Sequence, residues 1–253
     1  MDCLLAQNLT VSLHGKKIIE DIYLTVKENE IVGILGVSGV GKTTLFNTLA
    51  GIYTPDCGSI ILKGRDITGK PGKIRYMLQE DALLPFKKVI DNAALPLLLA
   101  GVNKREARKK ADSYFKVFGL EGTQKAYPAQ LSGGMRQRVA FLRTCLDAQN
   151  LILLDEPFSA LDAITKKKMH QWFLKVLSKM NLSTIFITHD VDEAVLLSDK
   201  IYILGSCPGT IIDSIEIEKA KHTDVDYSLT EEFLAYKKRV LKSFYQEMQR
   251  CSF

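Results

Sequence analysis

An α/β fold is expected for this chain, because apolar strand-like runs alternate with helical segments along it. Four runs rich in β-branched and other apolar residues predict strands, at residues 30–35, 151–154, 183–188 and 200–204. Helical segments are predicted at residues 42–50, 162–180 and 191–197. Such alternation is typical of a mainly parallel sheet with right-handed crossovers.

Other segments surround this alternation. Three more strands are predicted, at residues 22–26, 58–62 and 74–78. Residues 83–120 are rich in Leu, Ala, Lys and Arg and predict a helical insert, with Asn103 and Glu106 spaced as a capping box. A second helical stretch is predicted at residues 131–147. The basic runs at 104–110 and 166–168 are expected to be solvated helix faces.

The C-terminal part follows Gly205 with a predicted hairpin at residues 207–218 and a polar linker near 219–227. Ser228 and Glu231 have capping-box spacing and are expected to open a last helix. Its apolar residues fall on one face, at Phe233, Val240, Leu241, Phe244 and Met248.

Composition favours a globular protein with a large core. Of the 253 residues, 46% are hydrophobic and 25% are charged, and the net charge of +5 permits an acidic partner without demanding one. The five cysteines have no C-x-x-C spacing, which argues against a zinc site or a disulfide framework and fits a reducing cytosol. The longest nearly apolar run, residues 93–102, is too short to cross a bilayer. Nothing at the N-terminus resembles a signal peptide.

A phosphate-binding loop is predicted where residues 36–43 read GVSGVGKT, which fits G-x-x-x-x-G-K-[ST] between a strand and a helix. Lys42 can reach the β- and γ-phosphates of a nucleotide, and the Thr43 hydroxyl can ligate Mg²⁺. The strand–loop–helix context disfavours a chance glycine loop. The predicted binding residues are Gly36, Val37, Ser38, Gly39, Val40, Gly41, Lys42, Thr43 and Thr44.

Two acidic residues end an apolar strand where residues 151–157 read LILLDEP. Asp155 can hold Mg²⁺, directly or through water, and Glu156 can polarise an attacking water. An isolated acidic pair often only caps the following helix. Together with the phosphate loop, however, the pair indicates a catalytic site.

Two further strand ends carry polar side chains. His189 follows the strand at 183–188, at the edge where ligands of open α/β sheets bind, and it can contact a γ-phosphate or orient water. A structural histidine is the alternative. Gln79 follows the strand at 74–78 and can coordinate Mg²⁺ or the water, although polar residues after strands are common.

Residues 131–140 read LSGGMRQRVA, which contains no lysine and follows no predicted strand, so it is not a second phosphate loop. Ser132 can cap a helix, and the amides of Gly133 and Gly134 can approach a phosphate. Such a half-site is complete only if it closes over a nucleotide held by another subunit, and a two-fold dimer has two of these composite sites. An ordinary Ser-capped helix is the alternative.

Taken together, the motifs resemble those of the ATP-binding subunits of ABC transporters. GVSGVGKT matches the Walker A loop, LILLDE the Walker B strand, LSGGMRQ the signature, Gln79 the Q-loop, SALD at 159–162 the D-loop and His189 the switch histidine. The resemblance implies a P-loop NTPase core with a mixed or parallel sheet, an N-terminal antiparallel β subdomain and a helical signature subdomain. It implies one domain over residues 1–253. The core would span about 1–80 and 150–215, the helical subdomain about 81–149 and a helical tail about 216–253.

The resemblance also implies ATP and Mg²⁺ as cofactors and a head-to-tail dimer in which the LSGGM segment of one subunit covers the ATP of the other. Expected partners are a second ATPase subunit, in a homodimer, transmembrane permease subunits and a solute-binding protein, with no nucleic acid. The expected location is peripheral, at the cytoplasmic face of the cell membrane. Four stretches are similar to importers of the nitrate, sulfonate and taurine type, which include thiamine-precursor transporters: residues 79–92, 131–140, 155–165 and 188–204.

Three positions bear on the finer details. His14 occupies the place of the aromatic residue that stacks on adenine in the family, and imidazole stacks less strongly than a larger ring. Tyr23 is close by, but it lies in a predicted strand and is expected in the core. Phe86 follows Pro85 where the importer subfamily has Trp, in a loop expected near the permease contact.

Rival functions explain fewer of the motifs. DNA-repair and translation-associated ABC ATPases typically need a long coiled-coil insertion or two cassettes, and this sequence has neither. A P-loop kinase would leave LSGGMRQ, SALD and His189 without a role. An ABC exporter or lipid-extraction ATPase stays open, because import depends on the subfamily resemblance.

Overall fold

The structure is a computed structural model and describes residues 2–148, 150–159, 161–205, 207–218 and 227–250. This description leaves out residues 219–226 of the linker predicted near 219–227, Ala160 of the SALD segment and the side chain of Met248. The strands are β1 Asp2–Leu13, β2 Lys16–Lys27, β3 Ile31–Gly36, β4 Cys57–Leu62, β5 Arg65–Asp66, β6 Arg75–Met77, β7 Leu151–Asp155, β8 Ser183–Thr188, β9 Lys200–Gly205 and β10 Thr210–Glu216.

The helices run between and after these strands. They are α1 Lys42–Leu49, α2 Val89–Ala93, α3 Leu95–Leu99, α4 Lys104–Phe115, α5 Gly133–Cys145, α6 Ala163–Met180, α7 Val191–Leu197 and α8 Glu231–Arg250. Short 3-10 turns occupy Pro128–Gln130 and Tyr227–Leu229. Among the described residues, no helix combines the length and the apolar character needed to cross a bilayer.

Two sheets form the framework. The larger has the order β10-β9-β3-β8-β7-β6, with β10 antiparallel to β9 and every other pair parallel. The smaller is antiparallel, with the order β2-β1-β4-β5. The expected α/β fold, with a mixed sheet and an N-terminal antiparallel sheet, is therefore confirmed. The division into subdomains at particular residues stays a prediction.

Helix α1 packs between the two sheets. Its buried side chains Leu45, Phe46 and Leu49 share one apolar core with residues of both. A second core joins the helical insert to the larger sheet, and a third joins α7 and α8 to β9 and β10. Burial of apolar surface stabilises a fold by about 25 cal/mol per Å². These three cores therefore hold α1 and the strand ends in place.

The N-terminal hairpin was predicted incompletely. β1 was missed, and β2 begins at Lys16 instead of residue 22. β1 pairs with β2 through several register shifts, and Asn8 has φ +52°, so its apolar alternation is interrupted. The expectation that Tyr23 lies in the core is wrong, because Tyr23 is 52% exposed whereas its neighbours Ile22 and Leu24 face inward.

Helix starts and surface charges also differ from expectation. Asn103 caps α4 as predicted and accepts from Arg105 N at 2.9 Å, but α8 begins with Thr230 Oγ1 accepting from Phe233 N at 3.1 Å. Ser228 is therefore not the cap. The expectation of a solvated face at 166–168 is wrong for Lys166, whose Nζ lies 2.8 Å from a carboxylate oxygen of buried Glu193.

Candidate functional site

The functional residues collect at one edge of the larger sheet. β3 lies beside β8, and β8 beside β7, all parallel, with Leu35 paired with Thr188 and Asp155 paired with Ile187. The phosphate loop leaves β3 at this edge. Asp155 is the last residue of β7 and His189 directly follows β8, so the parallel register brings them to the same edge.

The loop at 36–43 has the backbone geometry of an anion cradle. Gly39 and Gly41 have φ of +82° and +107°, which favours glycine, and Gly41 caps α1. A Cβ on Gly41 would lie 2.7 Å from Ile19 Cγ2, and one on Gly36 would lie 2.8 Å from the Leu204 carbonyl oxygen. Glycine is therefore required for space at both positions, and at Gly41 for conformation as well. The loop leads directly into the N-terminus of α1, and the unpaired backbone N–H groups of a helix start favour an anion.

Lys42 is held inside this loop. The residue is 9% exposed, and Nζ donates to the carbonyl oxygens of Gly36 at 2.9 Å and Val37 at 2.8 Å. Burial lowers the pKa of Lys42, while the charges of Glu156 and Asp155 act in the opposite direction. The ammonium group is thus partly desolvated and fixed, which strengthens its attraction for a phosphate.

Asp155 receives a hydrogen bond that sequence analysis did not anticipate. Tyr76 Oη donates to Asp155 Oδ2 at 3.1 Å. Burial raises the pKa of Asp155, and the charge of Glu156 adds to this rise, whereas Tyr76 and Lys42 lower it. Burial raises the pKa of Tyr76, and the nearby charge of Asp155 raises it further, so the phenol stays a hydrogen-bond donor. A carboxylate crowded by another carboxylate is a favourable place for a cation.

Glu156 is the centre of the arrangement. Its backbone has φ +44°, and its N–H donates to the carbonyl oxygen of Ile187 at 3.1 Å. Glu156 Oε1 lies 3.2 Å from His189 Nδ1, and Gln79 Nε2 donates to Glu156 Oε2 at 3.4 Å. Gln79 Nε2 also lies 3.5 Å from Ser159 Oγ. A carboxylate between an imidazole and an amide, beside the phosphate loop, can orient and deprotonate a water.

The LSGGM segment stands apart from this cluster. Ser132 caps α5 as predicted, with Oγ accepting from Met135 N at 3.3 Å. Ser132 and Gly133 are exposed, and a Cβ on Gly134 would meet only Thr165 Cγ2 and Leu161 Cδ2, at 3.8 and 4.0 Å. Across the described part of the chain, no hydrogen bond joins residues 132–134 to the phosphate loop or to Glu156. The segment therefore presents free space at a helix start.

His14 lies at the tip of the β1–β2 hairpin. It is exposed, and with Gly15 it forms a turn in which both residues have positive φ, +52° and +76°. The hairpin continues into Ile18 and Ile19, which contact Gly41 of the phosphate loop. An aromatic ring at this tip is thus connected to the loop through β2.

One contact of the loop was missed altogether. Gly209 N donates to the Ile18 carbonyl oxygen at 2.8 Å, and the Gly209 carbonyl accepts from Glu20 N at 2.9 Å. A Cβ on Gly209 would lie 2.2 Å from the Val40 carbonyl oxygen. The turn before β10 therefore packs against the phosphate loop at Val40. Only the glycine in the CPGTI turn could have signalled this close approach.

Known proteins share both the sequence and this architecture. The sequence model described as "ABC transporter" matches residues 19–159, more than half of the chain. The chain belongs to this family. As an ABC-type ATPase it binds and hydrolyses ATP.

Curated relatives of this ABC protein include importer subunits. The chain is 47% identical to the formylaminopyrimidine import ATP-binding protein ThiZ of Halalkalibacterium halodurans, over 76% of this chain and 74% of that protein. It is 37% identical to the taurine import ATP-binding protein TauB of Escherichia coli K12, over 94% and 95% of the two chains.

Solved structures agree with the fold. The dimeric post-hydrolysis state of the ATP-binding cassette MJ0796, bound to ADP and phosphate, superimposes with a TM-score of 0.72 and 27% identity, over 85% of this chain and 99% of that one. CbiO1 of Clostridium perfringens superimposes with a TM-score of 0.79 at 22% identity, over 94% and 95% of the chains. The resemblance inferred from the motifs to an importer-type ABC ATP-binding subunit is confirmed by these comparisons.

Proposed function

We propose that this protein is the ATP-hydrolysing subunit of an importer for a small solute. The single observation that carries the ATPase role is the Glu156 carboxylate, which lies between His189 and Gln79 beside the buried Lys42. The importer role is supported by the relatives named for formylaminopyrimidine and taurine import. The solute is accordingly of the thiamine-precursor or the nitrate, sulfonate and taurine class.

Each residue has a chemical task in this proposal. Lys42 and the amides of residues 36–44 bind the phosphates, and Glu156 activates the attacking water. His189 contacts the γ-phosphate. The side chain of His14 stacks on the adenine ring, more weakly than a larger aromatic would.

The donor set suits Mg²⁺. Thr43 offers a hydroxyl, Asp155 a carboxylate and Gln79 an amide oxygen, which are the oxygen ligands that this hard cation prefers. Burial of Asp155 beside Glu156 leaves negative charge that a cation would neutralise. Mg²⁺ would supply charge neutralisation at the β- and γ-phosphates.

The second half of the site comes from a partner subunit. Ser132, Gly133 and Gly134 lie at the exposed start of α5, and within the described part of the chain they form no hydrogen bond with their own phosphate loop. A head-to-tail homodimer would place this helix start against the ATP of the other subunit. The dimeric MJ0796 cassette supports such an assembly.

Permease subunits and a solute-binding protein would complete the importer at the cytoplasmic face of the membrane. Leu78 and Phe86 are exposed apolar side chains on either side of Gln79, and we assign them to the permease contact. Movement of Gln79 would then link ATP hydrolysis to the permease.

Affinity capture tests the transport role. The full chain carrying Glu156→Gln is used to capture partners from solubilised host membranes with ATP present, and bound proteins are identified by mass spectrometry. Recovery of a multi-spanning membrane protein, with or without a solute-binding protein, supports import and yields solute candidates. Recovery only of soluble or DNA-bound complexes contradicts the proposal and favours a non-transport ABC ATPase. Chain carrying Lys42→Met, which is expected to lose ATP, is the control.

A further inference from the structure

A cluster of polar side chains, two buried and one half-buried, lies next to the loops that carry Glu156 and His189. Lys166 and His170 are one turn apart on α6, and Glu193 is on α7. Glu193 is 4% exposed and His170 is 6% exposed. Ionisable groups are costly to bury unless they are paired, so this cluster needs a reason.

The Glu193 carboxylate accepts one hydrogen bond, from Thr188, and lies close to the charged or ionisable nitrogen atoms of Lys166 and His170. Lys166 Nζ lies 2.8 Å from Oε1, and Thr188 Oγ1 donates to Oε2 at 2.7 Å. His170 Nε2 lies 3.5 Å from Oε1. Burial raises the pKa of Glu193, but His170, Lys166 and Thr188 outweigh it and bring the pKa down to about 2. At neutral pH the carboxylate is therefore ionised and bound to Lys166.

The cluster reaches the loop of His189 on both sides. Thr188 Oγ1, which binds Glu193, also accepts from the backbone N–H of Asp190 at 3.0 Å. Asp190 Oδ2 lies 3.4 Å from Lys166 Nζ. Both neighbours of His189 are thus attached to the cluster, whereas the His189 imidazole is 63% exposed and points to Glu156.

The same cluster reaches the loop of Glu156. The His170 ring packs edge-on against the Phe158 ring, with centroids 4.7 Å apart and an angle of 78°. Phe158 is buried and stands two residues after Glu156. Lys166 is in the first turn of α6, where its N–H donates to the Asp162 carbonyl oxygen at 2.8 Å.

We infer that Lys166, His170 and Glu193 are positioning residues that set the 3.2 Å approach of His189 to Glu156. Among the described residues, none of the three forms a hydrogen bond or ion pair with Glu156 or His189, and they act through Thr188, Asp190 and Phe158. This inference rests on the proposed roles of Glu156 and His189 in hydrolysis. Misplacement of a catalytic group by about 1 Å can lower a rate by about 100-fold, so a rigid support behind two adjacent loops has a direct effect on turnover.

The test separates hydrolysis from binding. ATP affinity and the single-turnover rate of bound ATP are measured in the full chain carrying Glu193→Gln, Lys166→Met, both changes together, or Lys166→Arg. We expect either single change to lower the rate roughly 10-fold with the Kd for ATP altered less than about twofold. Lys166→Arg should keep most of the wild-type rate, because arginine retains the positive charge beside Glu193. The double variant is no slower than the slower single variant, because the pair acts as a unit.

Asp91→Asn is the matched control, because Asp91 forms an ion pair with Arg108 in the helical insert, where the bond joins α2 to α4. Its rate should equal that of the wild type. An unchanged rate in folded Glu193→Gln protein, with only a lower melting temperature, overturns the inference and makes the cluster merely structural. If Glu193→Gln fails to fold, the single-turnover rates of Lys166→Met and Lys166→Arg decide: a slower Lys166→Met supports the inference, and equal wild-type rates overturn it.

Two further readouts separate the possible failures. The first is the hydrolysis rate of Glu156→Gln. A wild-type rate in that variant refutes Glu156 as the base, and the positioning of His189 is then decided by the second readout. The second is NMR of the imidazole groups, whose signals can be assigned readily because the chain has only four histidines. The His189 signals should shift in Glu193→Gln and stay in place in Asp91→Asn. Unshifted His189 signals contradict the inference whatever the role of Glu156.

Discussion

His189 Nδ1 lies 3.2 Å from Glu156 Oε1, although the two residues follow different strands. The contact depends on the parallel register of β7 and β8, in which Asp155 is paired with Ile187. It depends equally on the left-handed backbone of Glu156, with φ +44°, which turns the carboxylate toward the loop after β8. The carboxylate and the imidazole are thereby brought together at the edge of the larger sheet.

Lys42→Met should weaken ATP binding by roughly 100-fold, about 3 kcal/mol, because a buried ammonium that makes charge-assisted hydrogen bonds to phosphate is lost. Its two carbonyl partners, Gly36 and Val37, also lose their donor. Equilibrium binding of a fluorescent ATP analogue checks this. Lys109→Met, on the exposed face of α4, is the control and should bind normally. Unchanged affinity in Lys42→Met would contradict the role of the loop.

Gly209→Ala should weaken ATP binding about 10-fold, because the added Cβ, 2.2 Å from the Val40 carbonyl oxygen, must displace the phosphate loop. Gly101→Ala introduces a Cβ with nothing within 4 Å, at φ +85°, and it tests for a general effect of replacing glycine. Titration calorimetry of both variants measures the difference. Equal affinities would show that the turn before β10 does not support the loop.

The free energy of unfolding should depend on Glu193 at low pH. The folded-state pKa is about 2 and the ordinary value is 4.5, so the ionised carboxylate stabilises the fold above about pH 4.5. This contribution, about 3 kcal/mol, is lost as the pH falls toward 2. Urea unfolding from pH 6 to pH 2 should therefore show the stability of the wild type falling relative to that of Glu193→Gln. Glu106→Gln, at the surface of α4, should give a constant difference.

The composite dimer site predicts complementation. Lys42→Met and Ser132→Arg proteins should each be inactive alone, because every site of either dimer has one defective half. When the two are mixed, a mixed dimer has one site with both defects and one intact site. Half of the dimers are mixed, so we expect roughly a quarter of wild-type ATPase activity. Absence of any recovery would argue against two-fold composite sites.

Much of the site could be predicted because parallel strands share their carboxyl ends. Asp155, Gln79 and His189 each follow a short apolar run, and that placement brings them to the edge of the sheet where Glu156 lies. The spacing of glycines in residues 36–43 predicted the phosphate loop. Local sequence sufficed for these features, since each depends on where a strand ends and not on which distant residue it meets.

Other features depend on contacts between distant segments. Lys166 looked like part of a solvated run, and only the packing of α6 on α7 pairs it with Glu193. The Tyr76 bond to Asp155 depends on the pairing of β6 with β7. The positive φ of Glu156 arises where the chain leaves β7, at a residue type that gives no sign of it. β1 was missed because its register shifts break the alternation that identifies a strand.

The most direct test is a comparison of ATP binding and hydrolysis between the wild type and Glu156→Gln, on the same preparation and with Mg²⁺ present. The amide keeps the size of the side chain and removes its ability to accept a proton. The account predicts unchanged or tighter ATP binding with a fall in turnover of about 100-fold or more. Near-normal turnover would show that Glu156 is not the base and would contradict the site proposed for this sheet edge.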